Sequence, residues 1–111
     1  MKELSSDSEF VLVLTTEKDF EHAEKLAKSL FDKRIVACIS FLDIQSLYFW
    51  KGNIETSKEV QLLIKTSKNN LNNLLSLIRK KHSYNTPEIL YWPVSSNNDY
   101  GGWMRSVLIN N

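Results

Sequence analysis

Residues 35–66 read IVACISFLDIQSLYFWKGNIETSKEVQLLIKT, and this stretch decides the fold. Ile35 to Ile44 is apolar and β-branched, and the run continues through Ser46-Leu47-Tyr48-Phe49-Trp50 until Lys51-Gly52-Asn53 breaks it. Such a run ending at a Gly-containing break predicts one long strand and a hairpin turn. The return strand spans Ile54 to Thr66, polar and charged through Glu55-Thr56-Ser57-Lys58-Glu59, then apolar at Val60, Leu62, Leu63 and Ile64. The tip of the hairpin therefore belongs to solvent and its base to a core.

Before the hairpin, Phe10-Val11-Leu12-Val13-Leu14 reads as a strand buried on both faces. Phe20, Ala23, Leu26, Ala27, Leu30 and Phe31 recur at helical spacing, with Thr15 or Thr16 as the expected cap. After the hairpin, Leu71, Leu74, Leu75 and Ile78 form the stripe of a second helix, about Lys68 to His82, whose Arg79-Lys80-Lys81 end suits the helix dipole. Pro87 bars its continuation. Glu88 to Pro93 is a last short strand, and Ser95 to Asp99 leads to a short C-terminal segment, Tyr100 to Ile109. The order strand, helix, strand, strand, helix, strand is the split βαβ arrangement, an α+β fold with a four-stranded antiparallel sheet and both helices on one face. Two helices leave the other face bare, and Tyr48, Phe49, Trp50, Tyr91 and Trp92 are too many aromatics for a solvated surface, so another subunit is expected there.

With 111 residues, 42% hydrophobic and 24% charged, the chain suits one domain over residues 10–111, preceded by a loose polar tail at 1–9. Fourteen Lys+Arg against thirteen Asp+Glu leave a net charge of +1, which argues against nucleic acid or a membrane as partner. A single cysteine, Cys38, forbids an intrachain disulfide, and with no signal-peptide pattern a cytoplasmic setting is expected.

Enzyme chemistry finds little footing. The only glycines are Gly52, Gly101 and Gly102, so no phosphate-binding loop exists, and no Ser sits in a glycine-flanked elbow. Metal binding is the sharper idea, since Cys and His suit copper or zinc, but one Cys and two His give no paired-ligand spacing. Cys38 reads first as a small core residue in a strand. His22 reads as a surface imidazole. His82 is either a helix-end histidine favoured by the dipole or part of a site with the Ser83-Tyr84-Asn85-Thr86-Pro87-Glu88 turn. Lys65 either snorkels from the sheet or marks a polar pocket.

The segments Val36 to Ser40, Ser46 to Ile54, Glu59 to Thr66 and His82 to Ile89 together resemble the CutA divalent-cation tolerance family, over nearly the whole span from Phe10 to Trp103. The most specific parts are the Ser-x-Tyr-x-Trp-x-Gly-x-Ile hairpin and the turn holding His82, Tyr84, Pro87, Glu88 and Ile89. The resemblance implies a ferredoxin-like subunit in a homotrimer, a role in tolerance of copper and other divalent cations, and kinship with PII-type signal proteins that hold small effectors between subunits. By position it makes His82, Glu88 and Cys38 candidates for binding copper or another divalent cation, and Lys65, Tyr84, Tyr48 and Trp50 candidates for lining an intersubunit cleft. The expectation is a non-enzymatic, metal-responsive trimer; the alternatives are a PII-like effector module or a stable trimeric scaffold. Several departures from the family pattern stand out: Thr15-Thr16 replaces a frequent cysteine, Ser83 interrupts the turn, Asn85 replaces an acidic residue, the region of Asp43 lacks a Pro-Gly, and Gly101-Gly102 weakens the last helix.

Overall fold

The computed structural model describes residues 8–110, so most of the expected tail, residues 1–7, lies outside the described residues. Its elements run β1 (Phe10–Glu17), α1 (Phe20–Asp32), β2 (Cys38–Trp50), β3 (Asn53–Ser67), a 3-10 turn (Lys68–Asn70), α2 (Leu71–Lys81), β4 (Ile89–Val94) and α3 (Asn98–Val107). The sheet order is β2-β3-β1-β4, with every neighbouring pair antiparallel, as the split βαβ reading requires.

Period-two alternation sorts the strands by face. Val11 and Val13 of β1 and Val60, Leu62 and Ile64 of β3 pack under the helices with Ala23, Leu26, Leu30, Leu74 and Ile78. The opposite face carries Leu12, Leu63, Leu90 and Trp92, and α3 covers only one end of it, burying Met104 and Leu108 against Phe10 and Ala37. Leu90 is left 54% exposed there.

The hairpin turns through Lys51 and Gly52, both at positive φ (51° and 81°), the pattern of a type I′ turn whose twist matches the strands it joins. β1 ends opposite Val60, so beyond Asp43 and Val60 the two long strands have no third partner. Ile44–Trp50 and Asn53–Glu59 thus form a free two-stranded ribbon about 23 Å long at the usual rise per residue. Its apolar side chains stay in solvent: Leu47 is 71%, Phe49 78% and Ile54 62% exposed.

One expectation about boundaries is corrected, and two regions where the sequence departs from the family pattern keep their expected elements. Thr15 and Thr16 do not cap α1, because β1 continues through Glu17 by pairing with β3; Asp19 is the cap, its Oδ1 accepting the His22 N–H at 2.8 Å. β2 runs unbroken through Asp43, which pairs with Val60. The C-terminal segment is a full helix despite Gly101-Gly102: Asn97 caps it by accepting the Tyr100 N–H at 2.8 Å, and Met104 and Leu108 anchor it. The two glycines are not equivalent. A Cβ at Gly101 would sit 3.1 Å from the Phe10 ring, whereas at Gly102 its nearest neighbour is the flexible Arg105 head at 4.0 Å. Gly102→Ala is therefore expected to stabilise the fold by about 1 kcal/mol through helix propensity, and Gly101→Ala by distinctly less, as denaturant unfolding of the two variants would show.

Candidate functional site

The site begins where α2 stops. His82 leaves helical geometry, its N–H closing the helix on Ile78 O at 2.9 Å, and its side chain is fully buried beneath the end of β1. Its Nε2 meets the Thr16 carbonyl at 2.6 Å, and a carbonyl only accepts, so Nε2 carries the imidazole proton. Nδ1 is then the acceptor for the Tyr84 N–H at 3.0 Å.

Beside it lies Glu17, a carboxylate only 1% exposed, with Oε2 at 3.5 Å from His82 Nδ1. A buried carboxylate is tolerated only if donors replace its water. Ser83 supplies two, its N–H to Oε2 at 3.0 Å and its hydroxyl to Oε1, and the Lys18 N–H adds a long bond at 3.3 Å. The serine that interrupts the turn in sequence is thus the group that satisfies Glu17.

Anchored this way, the turn faces the hairpin ribbon across an open cleft of about 890 Å³. Tyr48 and Trp50 line it from β2, Glu59 from β3, and Tyr84 and Glu88 from the turn and its end. Tyr84 donates its phenol to Glu59 Oε2 at 3.0 Å and tilts its ring over His82 at 5.1 Å between centroids. Tyr48 Oη and Ser57 Oγ are 2.8 Å apart. Burial, then the hydrogen bond and charge of Glu59, then the charges of Glu17 and Tyr48, push the Tyr84 phenol well above its ordinary value of 10.0.

Of the residues singled out from sequence, Tyr48, Trp50, Tyr84 and Glu88 meet at this cleft, and His82 stands behind its wall with both nitrogens engaged. Lys65 and Cys38 do not join them. They are cross-strand partners on the open sheet face, where Lys65 Nζ lies 3.6 Å from Cys38 Sγ and donates to Ser40 Oγ at 3.0 Å. Five residues along β3 separate Lys65 from Val60, the partner of Glu17, so this cluster lies about 17 Å from the turn. Tyr100 also reaches it: burial, then the charge of Cys38 and a hydrogen bond to it, raise that phenol. His22 is a surface group bonded to its own helix cap, Asp19, at 2.6 Å. Among the described residues no three His, Cys, Asp or Glu side chains converge as a metal-ligand set. Glu17, Glu59 and Ser83 were not anticipated, although an acidic residue closing an apolar strand, as Glu17 does, is a signal that a buried partner is needed.

Comparison with known proteins gives one answer. The family model described as CutA1 divalent ion tolerance protein matches residues 11–107. The Divalent-cation tolerance protein CutA of Pectobacterium atrosepticum is 40% identical over 100 residues, covering 88% of this chain and 91% of that protein. The crystal structure of CutA1 from Pyrococcus horikoshii is similar at a TM-score of 0.87 and 34% identity, over 90% of this chain and 99% of that one. CutA from Synechococcus elongatus reaches a TM-score of 0.89 at 32% identity, over 97% of each chain. The CutA structure from Archaeoglobus fulgidus, described as periplasmic, shares 27% identity at a TM-score of 0.85, over 88% of this chain and 97% of that one. With the family model matched over residues 11–107 and the fold shared at a TM-score of 0.89, this chain belongs to the CutA1 family of divalent ion tolerance proteins.

Proposed function

We propose that the protein acts in divalent-cation tolerance as a homotrimer, binding copper or another divalent cation weakly or transiently at the cleft between ribbon and turn. The observation that carries this reading is the ribbon itself. A two-stranded ribbon is marginal in water, and one showing Leu47, Phe49 and Ile54 to solvent beside an acidic cleft is suited to packing on further copies, which would close the cleft. Glu88, exposed at the cleft, is the leading cation ligand, with the set completed by a second copy. His82 acts on the cation chiefly by holding the turn, because direct coordination costs it the Tyr84 N–H or Thr16 bond. Cys38 and Lys65, at the far end of the sheet, stand outside this set.

We read the protein as a binding protein rather than an enzyme, and its lone thiol suits the reducing cytoplasm. Among the described residues no helix is long and apolar enough to cross a membrane. A second reading has its own support: a cleft of about 890 Å³ walled by Tyr48, Trp50 and Tyr84 falls in the size range of small-molecule sites, as a PII-like effector module would require.

Calorimetric titration of Cu²⁺ and Zn²⁺ should give weak saturable binding that Glu88→Gln removes, His82→Ala reduces and Cys38→Ser leaves intact. Loss with Cys38→Ser alone would move the site to the other end of the sheet. Equilibrium sedimentation should return a trimer mass, and Phe49→Lys on the ribbon should lower it; a monomeric wild type would end the assembly part of the reading.

The phenol of Tyr84 gives a pH test. Below pH 10 the phenol is protonated in both the folded and the unfolded chain, and the Glu59 bond is fully present. Above it, the unfolded tyrosine ionises first, which favours unfolding, so this contribution to stability falls as pH rises through the alkaline range. Tyr84→Phe should flatten the alkaline part of the stability profile measured by denaturant unfolding.

A further inference from the structure

The donors and acceptors around the cleft specify a ligand class. Its wall holds two carboxylates, Glu59 and Glu88, and among the described residues that line it there is no lysine, arginine or histidine. The uncharged polar groups are mostly hydroxyls, from Thr16, Ser46, Ser57 and Ser83 among others. The Tyr84 hydroxyl, having spent its proton on Glu59, offers only its oxygen to a ligand. Glu59 has one carboxylate oxygen committed to that bond, and the other is left for a further donor. Trp50 and Tyr48 add aromatic surface from the ribbon side.

An anionic effector meets no counter-charge in this wall. A divalent cation needs further ligands from a second copy to converge on one point, whereas the acceptors of one chain are spread between ribbon and turn and form no three-ligand group among the described residues. A chain of primary and secondary ammonium groups fits both features. Each nitrogen brings N–H donors to a separate acceptor, and the methylenes between them lie on aromatic rings whose faces attract cations. A quaternary ammonium would use the rings but leave the hydroxyls and carboxylates without donors.

We propose that the cleft binds a linear aliphatic polyamine, its ammonium groups on Glu59 and Glu88 and its methylene chain along Trp50 and Tyr48. This rests on the reading of the cleft as the binding site and names the effector class it would take.

The test is calorimetric titration of spermidine into the full-length protein at low salt, beside the isosteric variants Glu59→Gln and Glu88→Gln, which keep side-chain size, and Trp50→Leu. Saturable binding is expected, weakened by about tenfold in each glutamine variant, the loss that goes with one charge-assisted hydrogen bond, and weakened also by Trp50→Leu and by added salt. Citrate and adenosine monophosphate serve as anionic probes and should not bind. No spermidine heat, an affinity unchanged in both glutamine variants, or an anion bound in place of the amine would overturn the proposal. A parallel Zn²⁺ titration separates the two claims. Zinc binding lost in Glu88→Gln, with no spermidine binding, removes the polyamine and keeps the cation cleft; failure of both ligands removes both readings.

Discussion

The turn that walls the cleft depends on a carboxylate taken out of water. Glu17 is buried at the end of β1, where its cost is met by the N–H and hydroxyl of Ser83. Those bonds fix the first residues after α2 against the sheet, and they hold His82 where its Nε2 proton meets Thr16 and its Nδ1 receives the Tyr84 N–H. Tyr84 is thereby aimed at Glu59 on β3, which ties the turn to the root of the hairpin. A chain of five residues, Glu17, Ser83, His82, Tyr84 and Glu59, thus converts one desolvation problem into the fixed geometry of one wall. Removing one member of such a buried network leaves its partners unsatisfied, so its energetics are those of a unit rather than of separate bonds.

The opposite wall obeys a different constraint. β2 and β3 outrun β1, so the ribbon that carries Tyr48 and Trp50 has backbone pairing but no third strand and no helix over it. It carries the apolar run Leu47-Tyr48-Phe49-Trp50, which the described residues of one chain leave exposed. One wall of the cleft is thus fixed by internal bonds while the other has its apolar surface open to a partner. Under the proposed assembly, whatever packs on the ribbon also sets the width of the cleft, which couples occupancy to assembly.

The architecture could be read from sequence because its signals are local: the two long apolar runs, the Lys51-Gly52 break and the two amphipathic stripes each announce an element, and their order leaves one plausible sheet. The errors came where tertiary pairing overrode local preference. Thr15 and Thr16 look like a helix cap until β3 pairs with both of them, and Gly101, which weakens α3 by its helix propensity, leaves the space that the Phe10 ring fills. Half of the candidate site was readable in the same way. Tyr48, Trp50, Tyr84 and Glu88 sit in two motifs that the hairpin and turn bring face to face. The other half was not, because Glu17 and Ser83 are 66 residues apart and matter only through a contact between them. Resemblance makes Cys38 and Lys65 candidates for an intersubunit site, and β3 register places them, within one chain, five residues along the strand from the root of the ribbon.

That separation bears on chemistry. The single thiol of the chain, the Cys38 sulfur, faces Lys65 and Tyr100 at one end of the sheet, while the cleft at the other end presents oxygens. Oxygen donors hold first-row cations less selectively than thiolate and imidazole do, and two carboxylates that do not converge hold them weakly. A cleft of this composition is poorly suited to store a metal tightly and well suited to ligands that arrive and leave with concentration. Under the proposed cation reading, that donor set favours response to ambient cations over their sequestration.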